Sequence, residues 1–301
     1  MDIPLELART LAVVVDEGTL DAAARRLHIT PSAVSQRIRT LENRLGRIVL
    51  VRSKPARATA AGEAVVRLAR QLALIEHDAL AEIGDGGATA VVPLAVNADS
   101  LATWFLAPLA RIAEQRRIAF ELHRDDQDFT AGLLEAGTVM GAVTSRATPI
   151  GGCRVSPLGV LRYEAVASAG FAARWFAGAS SGPGSSDAST AALAFAPVVD
   201  FDRRDDLQTQ WLTARGVDPA SPPRHLVPAS SDFATAVRLG LGWGLLPRLQ
   251  SEAGLASGEL RSLGGPPIDV ALYWQQWNLT SPLLDDIAAA VVAEGRRVLA
   301  Q

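Results

Sequence analysis

The stretch from Leu20 to Gly46 constrains this chain more than any other, because its punctuation spells two helices around a two-residue turn. A first amphipathic helix, Pro4 to Asp16, carries Leu7, Leu11, Val14 and Val15 on one side and ends at Gly18. Thr19 is placed to cap a second helix, Leu20 to Leu27, whose Ala22, Ala23 and Ala24 permit close approach of a neighbour. His28 and Ile29 make the turn. Thr30 and Pro31 then open a third helix: the threonine caps it, and the proline takes the first position, where a missing N–H costs nothing. Gly46 stops that helix after Leu45.

At 100° per residue, Val34, Ile38, Leu41 and Leu45 share a stripe that should pack on the first two helices. Ser32, Ser35, Gln36, Arg39 and Asn43 lie opposite, on a face with no acid and no large apolar group. Such a face suits double-stranded DNA, since Gln and Arg read base edges bidentately and serine reaches phosphate or base. Arg37, at the flank, is placed for a phosphate. Ile48 to Arg52 reads as a strand and Ser53 to Arg57 as a basic turn, a wing that sets Arg52, Lys54 and Arg57 against phosphates or the minor groove. Charge agrees: residues 22–60 hold nine basic side chains and one acid, residues 1–60 carry a net +4, and the remainder carries −7.

Thr59 is the expected N-cap of a long helix, Ala60 to about Ile83. Along it Val65, Leu68, Leu72, Ile75 and Ala79 recur at steps of three and four, a short seam suited to pairing with an identical helix. Gly84 to Gly87 reads as a linker. Strand-like segments then alternate with helices: Val91–Val96, Ile118–His123 and Val139–Val143, separated by helices over Leu101–Arg116 and Phe129–Ala136. Further strands are expected at Arg162–Ala167, Val198–Phe201, Arg224–Val227, Gly244–Leu246 and Val270–Trp274, with a last helix over Pro282–Leu299. This is α/β organisation with parallel crossovers.

Ligands of such sheets bind at the C-terminal ends of strands. The hydroxyls there, Ser100, Thr103, Thr144, Ser145, Ser230 and Ser231, suit a carboxylate; the acids Asp99, Asp125, Asp126, Asp128, Asp200, Asp202 and Asp232 suit a cation.

Other classes fit poorly. Four scattered histidines and the single Cys153 offer no metal-ligand spacing and no disulfide, so no metal and no cofactor are expected. No Gly-x-Ser-x-Gly elbow marks a hydrolase, and Gly240-Leu-Gly-Trp-Gly244 precedes a strand instead of joining strand to helix, so it reads as a tight connection. No apolar run approaches the ~18–20 residues of a membrane span, and the N-terminus lacks the basic region of a secretory signal; a cytoplasmic chain without a membrane partner is expected.

The segments "AARRLHITPSAVSQRIRTLENRLG" and "LVRSKPARATAAGEAVVRLA" resemble the winged helix-turn-helix and linker helix of the LysR-type transcriptional regulators. Six further segments resemble the ArgP/LysG branch of that family: "VNADSLATWFLAPL", "DDQDFTAGLLEAG", "GCRVSPLGVLRYEAVAS", "FDRRDDLQ", "AVRLGLGWGLLP" and "ALYWQQWNLTSPLLD". The resemblance implies an N-terminal winged helix-turn-helix (1–58) plus linker helix (59–87), followed by an α/β two-subdomain periplasmic-binding-protein-like effector domain (88–301). Its subdomains would be 88–160 with 268–301, and 161–267. It also implies a homodimer or a tetramer built as a dimer of dimers, a partnership with RNA polymerase at a bent operator, and control of a lysine/arginine exporter gene by a basic amino acid. Asp99, Ser100, Thr103, Asp125, Asp126, Thr144, Ser145, Asp200, Asp202, Ser231 and Asp232 would then form the effector site, and Val65, Leu68, Leu72 and Ile75 the dimer seam. Many family members have Gln where this chain has Pro31, which removes one contact at the start of the recognition helix.

Competing readings are a sequence-tolerant architectural protein or inhibitor of replication initiation, an amino-acid-binding protein, and an enzyme.

Overall fold

The computed structural model describes residues 2–83, 89–124, 127–176 and 188–300, without the side chains of 127–129. The head opens with α1 (Leu5–Glu17), α2 (Leu20–Leu27) and α3 (Pro31–Leu45). Each start and stop follows the expected chemistry. Thr19 Oγ1 accepts from Ala22 N–H and Thr30 Oγ1 from Ala33 N–H, Pro31 sits in the first turn, and Gly18 and Gly46 adopt the left-handed conformation. The wing strands β1 (Leu50–Val51) and β2 (Arg57–Ala58) pair antiparallel, Leu50 opposite Ala58. β1 is shorter than the run Ile48–Arg52, because Val49 gives its carbonyl to Thr59 N–H at the start of α4 (Ala60–Glu82). Gly62 tolerates that approach; a methyl there would overlap the Val49 carbonyl oxygen. One core joins these elements: Leu11, Val14, Val34, Ile38, Leu41, Val49, Val65, Val66 and Ala69.

The body follows as β3 (Ala90–Val96), α5 (Ala98–Thr103), α6 (Leu106–Gln115), β4 (Ile118–Arg124), α7 (Gln127–Glu135), β5 (Gly141–Thr144) and β6 (Cys153–Ser168). Then come α8 (Ala169–Trp175), α9 (Thr190–Leu193), β7 (Val198–Asp200), α10 (Leu207–Ala214), β8 (Arg224–Leu226), α11 (Ser230–Arg238) and β9 (Gly244–Pro247). The chain ends with α12 (Arg248–Ser257), β10 (Leu260–Ser262), β11 (Ile268–Trp277) and α13 (Pro282–Val298). The single helix expected over Leu101–Arg116 is two. Trp104 and Phe105 N–H both turn back to Ser100 C=O, and the break puts Pro108 in the first turn of α6, where it lacks no bond. Among the described residues no helix is long and apolar enough to cross a membrane.

The chain forms two compact units. The first holds residues 1–96, 108–156 and 274–291: the head, α4 and the parallel strands β4, β3 and β5, with Ala90 opposite Ile118 and Leu94 opposite Gly141. The second holds 97–107, 157–273 and 292–301. There β6 pairs antiparallel with β9 and β10, while β7 lies parallel to β8. The glycine run Gly240–Gly244 joins α11 to β9, and a side chain at Gly244 would strike the Phe233 ring.

Candidate DNA-binding and effector sites

In the head, helical period decides what each side chain of α3 meets. Val34, Ile38 and Leu41 are fully buried, while Ser32, Gln36, Arg39 and Asn43 are exposed and Ser35 is half-buried. The Ser32 and Thr30 hydroxyls share a hydrogen bond of 2.9 Å beside the cap. Arg39, Arg52, Lys54 and Arg57 make no ion pair with the described residues, so their charges face outward. Ala56 N–H donates to Gly18 C=O at 2.7 Å, which ties the basic turn to the α1–α2 corner and holds the wing beside the helices.

Arg37 departs from its expected role. It lies three residues after Val34 and four before Leu41, on the edge of the buried stripe, and turns inward to pair with Glu6 and donate to Thr10 Oγ1 of α1. Val65 departs too. It is buried in the head's own core, so of the expected seam Leu68 and Leu72 are half-buried and Ile75 is exposed.

In the second unit Asp99 is a hub. Its Oδ2 accepts from the Tyr163 hydroxyl and its Oδ1 from Ser230 Oγ, each at 2.6 Å; Ser230 Oγ in turn accepts from Gln250 Nε2 at 3.0 Å. Burial pushes the Asp99 pKa above its ordinary value, and the two hydroxyl donors offset part of that rise. Beside it, Ser100 Oγ and Asn97 Oδ1 are buried without a hydrogen-bond partner among the described residues. Buried polar groups of that kind are a cost that a polar ligand removes. Thr103 donates to its own helix, at Asp99 C=O.

The remaining expected residues separate. Asp200 is buried against Arg224, 2.6 Å away, and Asp202 accepts Arg204 and Asp205 N–H within its own turn. Each carboxylate thus has a partner within the fold, since a buried acid takes the nearest guanidinium and an acid in a turn takes the nearest N–H, while Asp200 Oδ1 is buried without a hydrogen-bond partner among the described residues. Ser231 and Asp232 are exposed in the first turn of α11. Thr144 and Ser145 belong to the first unit, where Thr144 is fully buried and accepts from Gln275 Nε2 at 3.4 Å. Asp125 and Asp126 lie outside the described residues, as does the side chain of Asp128. Tyr163 and Gln250 escaped the sequence reading. They stand 64 and 151 positions from Asp99, and the signal that finds them is three-dimensional.

Residues 5–63 match the bacterial regulatory helix-turn-helix protein of the lysR family, and residues 90–296 match the LysR substrate binding domain. The HTH-type transcriptional regulator LysG of Mycobacterium tuberculosis is 43% identical over 94% of this chain and 90% of that protein. The lysine export transcriptional regulatory protein LysG of Corynebacterium efficiens is 40% identical over 95% and 96%. Among solved structures, ArgP from Mycobacterium tuberculosis superposes with a TM-score of 0.82 at 41% identity, covering 98% of both chains. Full-length LysG from Corynebacterium glutamicum with bound effector Arg gives 0.76 at 35%, covering 99% of this chain and all of that one. With matches across head and body alike, this chain belongs to the LysR family of DNA-binding transcriptional regulators.

Proposed function

We propose that this regulator responds to a basic amino acid, L-arginine or L-lysine, and controls transcription of an amino-acid exporter gene. The observation that carries the reading is the similarity along nearly the full length to a LysG whose structure holds arginine. The Asp99 hub supports it: a carboxylate held by two hydroxyls, with the Ser100 hydroxyl beside it lacking a partner among the described residues, offers an acceptor for a cationic group and a donor for a carboxylate. Asp125, Asp126, Thr144 and Ser145 complete the proposed effector set. In the head, Ser32, Ser35, Gln36, Arg39 and Asn43 read bases while Arg52, Lys54 and Arg57 hold phosphates. Leu68, Leu72 and Ile75 supply the contact with a second copy, so that two heads address two half-sites. The protein then works in the cytoplasm, as a dimer or tetramer that places RNA polymerase.

The test is calorimetric titration of the full chain with arginine, lysine, histidine and leucine, followed by binding to the DNA upstream of its own reading frame. Heat from the basic amino acids alone is expected. No heat from any of them removes the effector assignment, and DNA affinity independent of both sequence and amino acid favours the architectural reading instead.

A further inference from the structure

The linker helix α4 reaches out of the head into the body of the first unit through a few directed contacts. Arg67 donates to the Glu135 carbonyl at 2.8 Å and lies over the Trp277 ring, 5.1 Å from its centroid. Arg70 donates to the Gly137 carbonyl at 2.7 Å and pairs with Asp16 on α1 of the DNA-binding head. One guanidinium thus joins head and body directly.

Both arginines grip the same place, the C-terminal end of α7. A cation is favoured there by the helix dipole and by carbonyls that the helix leaves free. Gly137 makes the grip possible. Its φ of +70° closes the helix, and a side chain there would overlap the Arg67 stem.

Glu135 also reaches the other way. Its carboxylate pairs with Arg146 at 3.2 Å, and Arg146 directly follows Thr144 and Ser145 at the end of β5. Thr130, midway along α7, donates to Val143 C=O and fastens the helix to that strand. A continuous set of contacts therefore runs from Thr144–Arg146 through α7 to Arg67 and Arg70, and on to Asp16. Arg70 and Asp16 line a cavity of about 430 Å³ together with Arg9, Glu76 and Met140. Directed polar bonds and one cation–π contact hold the junction, and a small displacement of α7 can exchange them.

We propose that Arg67 and Arg70 are coupling residues that transmit ligand occupancy in the body to the DNA-binding head through the C-terminal end of α7. The proposal rests on the effector reading above, with Thr144 and Ser145 as ligand contacts. Linkage makes it reciprocal: DNA binding at the head must alter the same junction.

The test compares the full-length protein with an Arg67→Ala/Arg70→Ala double variant and with Asp16→Asn. The probes are L-arginine, L-lysine and a fluorescent duplex recovered by selection from a random pool. The unmodified protein should show a change in duplex affinity on adding the amino acid, of about five- to a hundredfold. In the double variant that ratio should fall to unity while arginine is still bound. A ratio that survives in the double variant overturns the proposal. Should the double variant not fold, the same ratio in Asp16→Asn decides, since that change cuts the grip on the head and leaves the DNA-facing side chains in place. If the unmodified protein binds neither amino acid, the effector reading fails by itself. Amide hydrogen exchange of residues 130–138 on adding duplex then judges the coupling: protection that changes in the unmodified protein and not in the variants supports it, and no change in the unmodified protein overturns it.

Discussion

The recognition helix and the Asp99 hub are both polar, yet they are built in opposite ways. On α3 the polar side chains proposed to read DNA belong to one short segment, point away from the core and have few internal partners. Around Asp99 the side chains come from α5, β6, α11 and α12 and hold one another. A surface meant for a long, charged duplex needs exposed donors at fixed spacing, which a single helix supplies. A site for a small polar molecule needs enclosure and orientation, which only several converging elements supply. The difference teaches that an exposed polar residue in the head and a buried one in the body fail differently when altered.

The largest effect should come from the exposed face. Arg39→Ala is expected to lower affinity for a specific duplex about ten- to hundredfold, with little change for random DNA. Competition fluorescence with the two duplexes measures the ratio; equal losses on both would make Arg39 a phosphate contact.

Next is the hub. Asp99→Asn keeps an acceptor for one hydroxyl and removes the charge, so arginine affinity should fall about tenfold while duplex affinity in the absence of amino acid holds. Calorimetry decides it, and unchanged arginine binding would make Asp99 purely a support for Tyr163 and Ser230.

A smaller effect tests the scaffold under the recognition helix. Thr30→Ala removes the acceptor for Ala33 N–H and should cost about 1 kcal/mol of stability, read from urea denaturation.

The smallest concerns protons. Because burial raises the Asp99 pKa in the folded chain, that chain keeps the proton to higher pH than the unfolded one. Stability should therefore fall as pH rises from the ordinary carboxylate value through the raised one, and Asp99→Asn should flatten that slope. Denaturation midpoints measured at rising pH, starting from the ordinary carboxylate value of about 4, would reveal it.

The head was readable almost residue by residue. Its caps, Pro31, Gly18, Gly46 and the 34/38/41 stripe are local signals, and local signals act through neighbours along the chain. Even there Arg37 misled, because a flank residue at the edge of a buried stripe can turn either way and Glu6 on another helix decides which. The seam misled at Val65 for the same reason: spacing shows that a residue is apolar on a face, but not which neighbour covers it. In the body the strand-end rule drew attention to Asp99, Ser100 and Ser230, and it also gathered Asp200 and Asp202, whose partners Arg224 and Arg204 lie nearby. An acid bonded to hydroxyls of distant elements and an acid bonded within its own loop look alike in sequence.

Local pattern was thus enough for the helix boundaries of the head, the buried stripe and outward donor face of α3, and the alternation that makes an α/β body. Each follows from dihedral preferences and the helical period, which act over a few residues. Only the packed chain settles which groups each carboxylate meets, which arginine faces outward, and how Arg67 and Arg70 meet the end of α7, 68 and 67 positions along the chain. Those outcomes depend on which charges and apolar groups meet once the chain has folded, and contact between segments far apart in the chain is set by packing instead of by local pattern.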